Sequence, residues 1–231
     1  MNRLSSATWI QLNPWRTKLG LPWAVPGIVF LTNLIPVVMA GREDVAVGSH
    51  AGVWALTIYL LIVSAVKPRD NFPITMGLSG TRKVFYAAAA TTIVIESVAY
   101  AVVLYLLSVL ERATNSWGVG LHLFDVPFLG HLNPVTYVLA CTAGLLALGF
   151  LGLFCGLIST RWGKTGLFTA GILAGGVLGG AFALISLTGQ WETIGQWFAG
   201  QPEPVLYPGW PLLITAVLAV AGWFVIRRAR A

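Results

Sequence analysis

The chain has 231 residues, of which 57% are hydrophobic and only 10% charged, with a formal net charge of +6, and its mean hydropathy is +0.79. A soluble domain is about 45–50% apolar and about 25% charged, so a core of this size cannot hide so much apolar surface, and a bilayer is the natural solvent. Two cysteines, Cys141 and Cys155, would stand about 21 Å apart on one helix, which leaves neither a disulfide framework nor a metal-ligand spacing.

The first residues, MNRLSSATWIQLNPWRTKLG, are polar and aromatic and lack the compact apolar stretch and cleavage site of a signal peptide. Within them, 4–19 mixes Trp9, Ile10, Leu12, Trp15 and Leu19 with Arg16 and Lys18, a pattern that suits an interfacial helix in the headgroup layer, interrupted at Pro14. A spanning helix needs about 20 mostly apolar residues. Six segments qualify as spans: about 21–40, 51–66, 84–110, 134–159, 165–189 and 209–226. Backbone groups in lipid must be satisfied internally, so these are read as helices; the alternation of a membrane β-barrel is absent. The expected fold is therefore an all-α integral membrane protein, a single transmembrane domain over 1–231.

Lys and Arg set the orientation. With the N-terminus in the cytoplasm, twelve of the fourteen basic residues fall inside, Lys67, Arg69, Arg82, Lys83, Arg161 and Lys164 among them, and only Arg42 and Arg112 fall outside. Six of the acids lie outside: Glu43, Asp44, Glu111, Asp125, Glu192 and Glu203. Both termini are thus expected in the cytoplasm. The positive charge reports topology and anionic lipid on that face, not a nucleic-acid surface.

Between the second and third spans lies KPRDNFPITMGLSGTRKVFY, 67–86. It is charged, yet it also carries Phe72, Ile74, Met76 and Leu78. Pro68 and Pro73 are expected to break the helix leaving the second span, Gly77 and Gly80 to permit sharp turns, and Thr81 to cap the helix that climbs into the third span. A cytoplasmic element with an apolar face and a basic rim at Arg82 and Lys83 is a docking surface for another protein. Glu96 is the one ionisable residue deep in a span. Such groups are costly and tend to be functional or paired, so it either lines a substrate path or sits at a helix contact.

The outer loop 111–133 contains His122, Asp125 and His131 without recognisable metal-ligand spacing. The fourth span carries Gly144, Gly149, Gly152 and Gly156. The fifth carries Gly171, Gly175, Gly176, Gly179 and Gly180, small-residue motifs that let helix backbones approach closely. These glycines could pack helices within one subunit or between two, and within one subunit is the expectation taken here. In 189–208, Trp191, Ile194, Trp197 and Phe198 fall at helical spacing ahead of Gly200 and Pro202, an outer amphipathic helix before the last span. Gly163-Lys164-Thr165 imitates the end of a phosphate-binding loop, but position 158, where that motif needs glycine, is isoleucine. No hydrolase or metalloprotease constellation is present, so the chain is not expected to be an enzyme.

The stretch FPITMGLSGTRKVFYAAAA, 72–90, resembles the segment after the second span in small bacterial permeases of the type-2 class of ABC exporters. In that family a Phe-Pro stretch and a small-residue element ending in basic and aromatic residues precede the third span. Here that element runs from Gly77 to Phe85, with one residue more than the family pattern. The interfacial start, six spans and outer hairpin match as architecture. The resemblance implies a multi-pass permease subunit in a bacterial cell membrane, working with two copies of an ABC ATPase subunit and a second permease subunit, identical or paralogous. It implies no cofactor in this chain, with ATP and Mg bound by the partner ATPase. The ATPase would dock on the 67–83 coupling element at Phe72, Ile74, Met76 and Leu78, with Arg82 and Lys83 at the rim. Hydrophobic or amphipathic cargo (drug, antibiotic, peptide or lipid) would move outward. Two other classes remain open: a self-contained proton-coupled carrier using Glu96, and a non-transporting membrane immunity or structural protein.

Overall fold

The computed structural model describes residues 15–40, 50–77, 80–126 and 128–227. Their elements are α1 (Trp15–Ala40), α2 (Ala51–Gly77), α3 (Arg82–Ala113), a 3-10 turn at Ser116–Gly118, α4 (Pro134–Thr188), α5 (Trp191–Ala199) and a π-helical turn at Val205–Gly209 that runs into α6 (Trp210–Arg227). No strand occurs among the described residues. Among the described residues four helices are long and apolar enough to cross a membrane: Ala51–Gly77, Arg82–Ala113, Pro134–Thr188 and Val205–Arg227. They are the helices of a membrane-embedded protein.

Three boundaries differ from the sequence reading. First, 15–19 form the opening turns of the same helix as 21–40 rather than a separate interfacial element; the rest of 4–19 lies outside the described residues. Pro22–Ile35 is an apolar stretch within α1. Second, α2 does not stop near Val66. It continues through Pro68 and Pro73 to Gly77. Each proline removes one i→i−4 hydrogen bond, and at Pro68 the helix is braced from outside. A Cβ on Gly156 of α4 would run into the Pro68 ring and the Ala65 carbonyl, so α4 is pressed directly against the proline turn. Third, the expected fourth and fifth spans form one element of 55 residues. At about 1.5 Å per residue it would be about 80 Å long if straight. It is broken at a single residue, Gly163 (φ 68°, ψ −166°), a conformation open essentially to glycine. The two pieces are called α4a (134–162) and α4b (164–188).

The bundle has two ends. At one, the α2–α3 turn meets the end of α6 and Leu157 of α4a, around a core of Phe72, Phe85, Ile93, Phe150, Leu153 and Ile226. At the other, the start of α4a meets the 116–133 loop: Tyr137 packs with Val126, Leu129 and Leu132 against Tyr207, and His131 pairs with Glu203 (3.4 Å). α1 lies along this half, with Trp23 edge-on to Tyr100 (5.9 Å) and Phe30 edge-on to Trp117 (5.1 Å). α4a therefore runs from the loop end to the elbow end, and α6, from Tyr207 at the loop end to Ile226 at the elbow, runs beside it in the same direction. Trp162 ends α4a toward the elbow, while Glu203 is at the loop end, so α4b covers the length of the bundle in return.

α4a is the central helix. Gly149 faces Ile93 and Leu60, and a Cβ at Gly152 would strike the Leu61 carbonyl. Gly149, Gly152 and Gly156 let α4a touch its neighbours within this chain, and Gly222 of α6 sits against Tyr86 and Leu157. Gly171, Gly175, Gly176, Gly179 and Gly180 have no atom within 4 Å of where a Cβ would stand, and α4b is exposed along nearly its whole length. This corrects the expectation that the fifth-span glycines pack helices inside the subunit. Thr81 caps α3 as its position indicated, its hydroxyl accepting from the Val84 N–H (3.3 Å). The amphipathic segment after α4b folds as α5, where Trp197 and Phe198 pack edge-on against Trp210.

Candidate functional site

The elbow between α2 and α3 is a tight hairpin. The Gly80 N–H donates to the Thr75 carbonyl (2.9 Å), an approach that a Cβ at Gly80 would block. Phe72 and Phe85 meet edge-on at 5.3 Å across the hairpin. The Arg82 guanidinium donates to the carbonyl of Arg227 at the end of α6 (3.1 Å). The Tyr86 hydroxyl donates to the Ala219 carbonyl (2.5 Å), and its ring leans on Trp223. Local sequence explains this arrangement: Thr81 starts α3 in register, and one turn later Phe85 and Tyr86 point to neighbouring helices.

The candidate docking residues separate into three groups. Phe72 is buried (2% exposed) in the core of this subunit, which removes it from the set of surface anchors. It lies on the stripe Leu56, Leu60, Ser64, Lys67, Phe72 that α2 turns toward the bundle. Ile74 is 51% exposed, Met76 is half-buried against the same core, and Arg82 and Lys83 are exposed. Leu78 lies outside the described residues.

Glu96 is at a helix contact. Its Oε2 accepts from Nζ of Lys67 at 2.5 Å, and the two side chains are 5% and 4% exposed. Lys67 is therefore not a cytoplasmic anchor, as its place after the second apolar run implied; it reaches along α2 into the bundle. Burying two charges is costly, and their attraction compensates only in close, hydrogen-bonded geometry. Ser64, one turn before Lys67, and Ser97, next to Glu96, are also fully buried, and neither hydroxyl has a hydrogen-bond partner among the described residues. The pair thus lies in a polar seam between α2 and α3. Sequence reasoning missed Lys67. The signal was present: in unbroken helical register it shares a face with Leu56, Leu60 and Ser64.

A second missed residue is Glu111. Its carboxylate is fully buried and accepts the backbone N–H groups of Leu123, Phe124 (2.8 Å) and Asp125, together with Trp117 Nε1. It anchors a loop in which Asn115, Ser116 and Trp117 all take positive φ, a strained run that persists only where its surroundings over-determine it. The candidate metal ligands of this loop do not converge. His122 faces Glu111 (3.6 Å), Asp125 faces Arg112 (3.5 Å) and His131 faces Glu203. Among the described residues no group of three potential ligands is assembled.

Comparison with known protein families, with curated proteins and with solved structures returns no match. The class is defined by the fold alone: an all-helical, membrane-embedded chain with a braced polar seam at its α2–α3 hairpin.

Proposed function

We propose that the chain is the membrane-spanning permease subunit of an ATP-driven exporter. In this reading α1, α2, α3, α4a, α4b and α6 are six crossings, with both termini and the elbow on the cytoplasmic side. The basic residues support that orientation: Arg69, Arg82, Lys83, Arg161, Lys164 and Arg227 all belong to the elbow end. A separate ATPase, holding ATP and Mg, docks on the elbow through Ile74 and Met76, with Arg82 and Lys83 at the rim. Two such ATPases and a second permease subunit complete the machine, and a hydrophobic or amphipathic substrate moves outward.

The observation that carries this reading is the bracing of the elbow. A push on 68–77 cannot be absorbed locally. Phe72 passes it to Phe85 on α3, Lys67 passes it to Glu96 deeper on the same helix, and Arg82 passes it to the end of α6. An element tied to several helices suits the transmission of ATPase closure into the bundle. Glu96 as the proton carrier of a self-contained transporter is less well supported, because it would first have to release Lys67 and leave that ammonium buried and alone. Affinity purification of the tagged chain from its native membrane in mild detergent tests the proposal. A stoichiometric ATPase of nucleotide-binding-domain size in the eluate is the expected outcome. Recovery of the chain alone, or only as a homo-oligomer, refutes it.

A further inference from the structure

On either side of the break at Gly163, α4a and α4b enclose with α6 an open groove of about 570 Å³. Phe154 and Ile158 wall it from α4a, Thr169 and Leu173 from α4b, and Val225 from α6. Trp162, half-exposed, lines it beside the break. Phe154 stands nine residues before Gly163 and Leu173 ten after it, so the groove runs roughly 15 Å along both helices. The Thr169 hydroxyl is already spent on the Thr165 carbonyl (3.0 Å), which leaves the deep part of the groove apolar. A 150 Å³ apolar cavity holds one benzene, so this groove has room for roughly one acyl chain.

The end of the groove at the break is basic. The Arg161 guanidinium stacks over the Trp162 ring, 4.1 Å from its centroid. Stacking engages the flat face of the guanidinium and leaves the N–H donors around its edge for a phosphate. Gly166 makes room for the ring, since a Cβ there would strike Trp162. Lys164 is exposed next to Thr165, which also lines the groove. Arg227, two residues past Val225, is exposed as well, and its carbonyl accepts from Arg82 (3.1 Å), which brings a further cation to the end of α6. The ion pairs among the described residues all lie elsewhere, so no carboxylate there neutralises Arg161 or Lys164.

We infer that this groove is a binding site for a membrane phospholipid of net negative charge, with one acyl chain against Phe154, Ile158 and Leu173 and the phosphate at Arg161 and Lys164. An apolar slot with cations at one end matches the order of parts in such a lipid, and basic clusters at the end of a membrane helix select anionic headgroups. The inference rests on the membrane-embedded fold and does not depend on an ATPase partner.

The test is native mass spectrometry of the purified full-length chain in a non-ionic detergent, titrated with dioleoylphosphatidylglycerol and, separately, with dioleoylphosphatidylcholine. The two lipids share their acyl chains and differ in net charge. Each cation beside an anionic headgroup is worth about fivefold in affinity, so phosphatidylglycerol should bind about twentyfold more tightly. Arg161→Gln and Lys164→Gln should each weaken phosphatidylglycerol about fivefold and leave phosphatidylcholine unchanged. Thr169→Trp fills the groove from an exposed position and should weaken both lipids about tenfold, the worth of roughly two buried methylenes; Leu173→Trp should do the same should the first variant fail to fold. A phosphatidylglycerol with a diazirine in its acyl chain should label the peptides of 154–173. Equal affinity for the two lipids, or a phosphatidylglycerol affinity unchanged in both glutamine variants, would overturn the anionic ligand. Labelling spread evenly over the lipid-facing helices and indifferent to the filling variants would overturn the groove.

Discussion

The Lys67–Glu96 pair yields the sharpest prediction. At 2.5 Å two unit charges attract by roughly 7 kcal/mol at an effective dielectric of about 20, and desolvating each costs several kcal/mol. The pair therefore adds little net stability, while either charge left alone is expensive. Lys67→Met or Glu96→Met should each destabilise by about 3–5 kcal/mol. The double substitution should fall within about 1 kcal/mol of the parent, since two thioethers fill the seam without any charge to bury. The coupling energy is then at least about 5 kcal/mol. It is measured by equilibrium unfolding in mixed micelles, followed by tryptophan fluorescence, for the four members of the cycle. Independent sites add to within about 0.5 kcal/mol. Additive single-mutant costs, or single costs below about 1 kcal/mol, would refute the buried pair and with it the path from α2 to α3.

Other predictions concern the elbow, the glycines and the loop. Ile74→Asp, at an exposed site, should leave membrane insertion intact and lower substrate-coupled ATPase activity of the proposed complex at least tenfold; a full-rate enzyme would sink the docking assignment. Gly152→Ala should cost about 1–3 kcal/mol through overpacking against the Leu61 carbonyl, whereas Gly175→Ala should gain up to about 1 kcal/mol from helix propensity. A destabilising Gly175→Ala in the isolated chain would mean that another surface covers that face. Glu111→Ala strands the N–H groups of Leu123 and Phe124, each worth about 1.5–3 kcal/mol when bound to a carboxylate. Hydrogen exchange at those amides should accelerate at least tenfold, and unchanged protection would refute the role of Glu111.

Several features were legible in the one-dimensional pattern because their causes are local. A hydrophobic run of bilayer length must be helical in lipid, and the positions of most such runs follow. Thr81 could be read as a cap, since its hydroxyl reaches only three residues ahead. Trp191, Ile194, Trp197 and Phe198 identified α5 by period, and the turn near Gly163 showed as a polar gap between two apolar stretches.

The inward faces could not be read in the same way. In a soluble helix the apolar side faces the core, but lipid is as apolar as leucine, so hydropathy gives the same reading for Phe72, which is buried, and Ile74, which is half-exposed. It also treats the glycines of α4a and α4b alike. Only the crossing of α4a over α2 decides that Gly152 meets a carbonyl while Gly175 meets nothing. Pro68 and Pro73 look like breaks to a local rule, yet the helix continues through both, with Pro68 packed against Gly156. That continuation rotates Lys67 into the bundle opposite Glu96, and the folding of the loop brings three amides to Glu111. Composition and period determined that this chain is helical and membrane-embedded. Which helices touch, and therefore which charges find partners, was set by the register between helices, a property of pairs of segments that no single segment encodes.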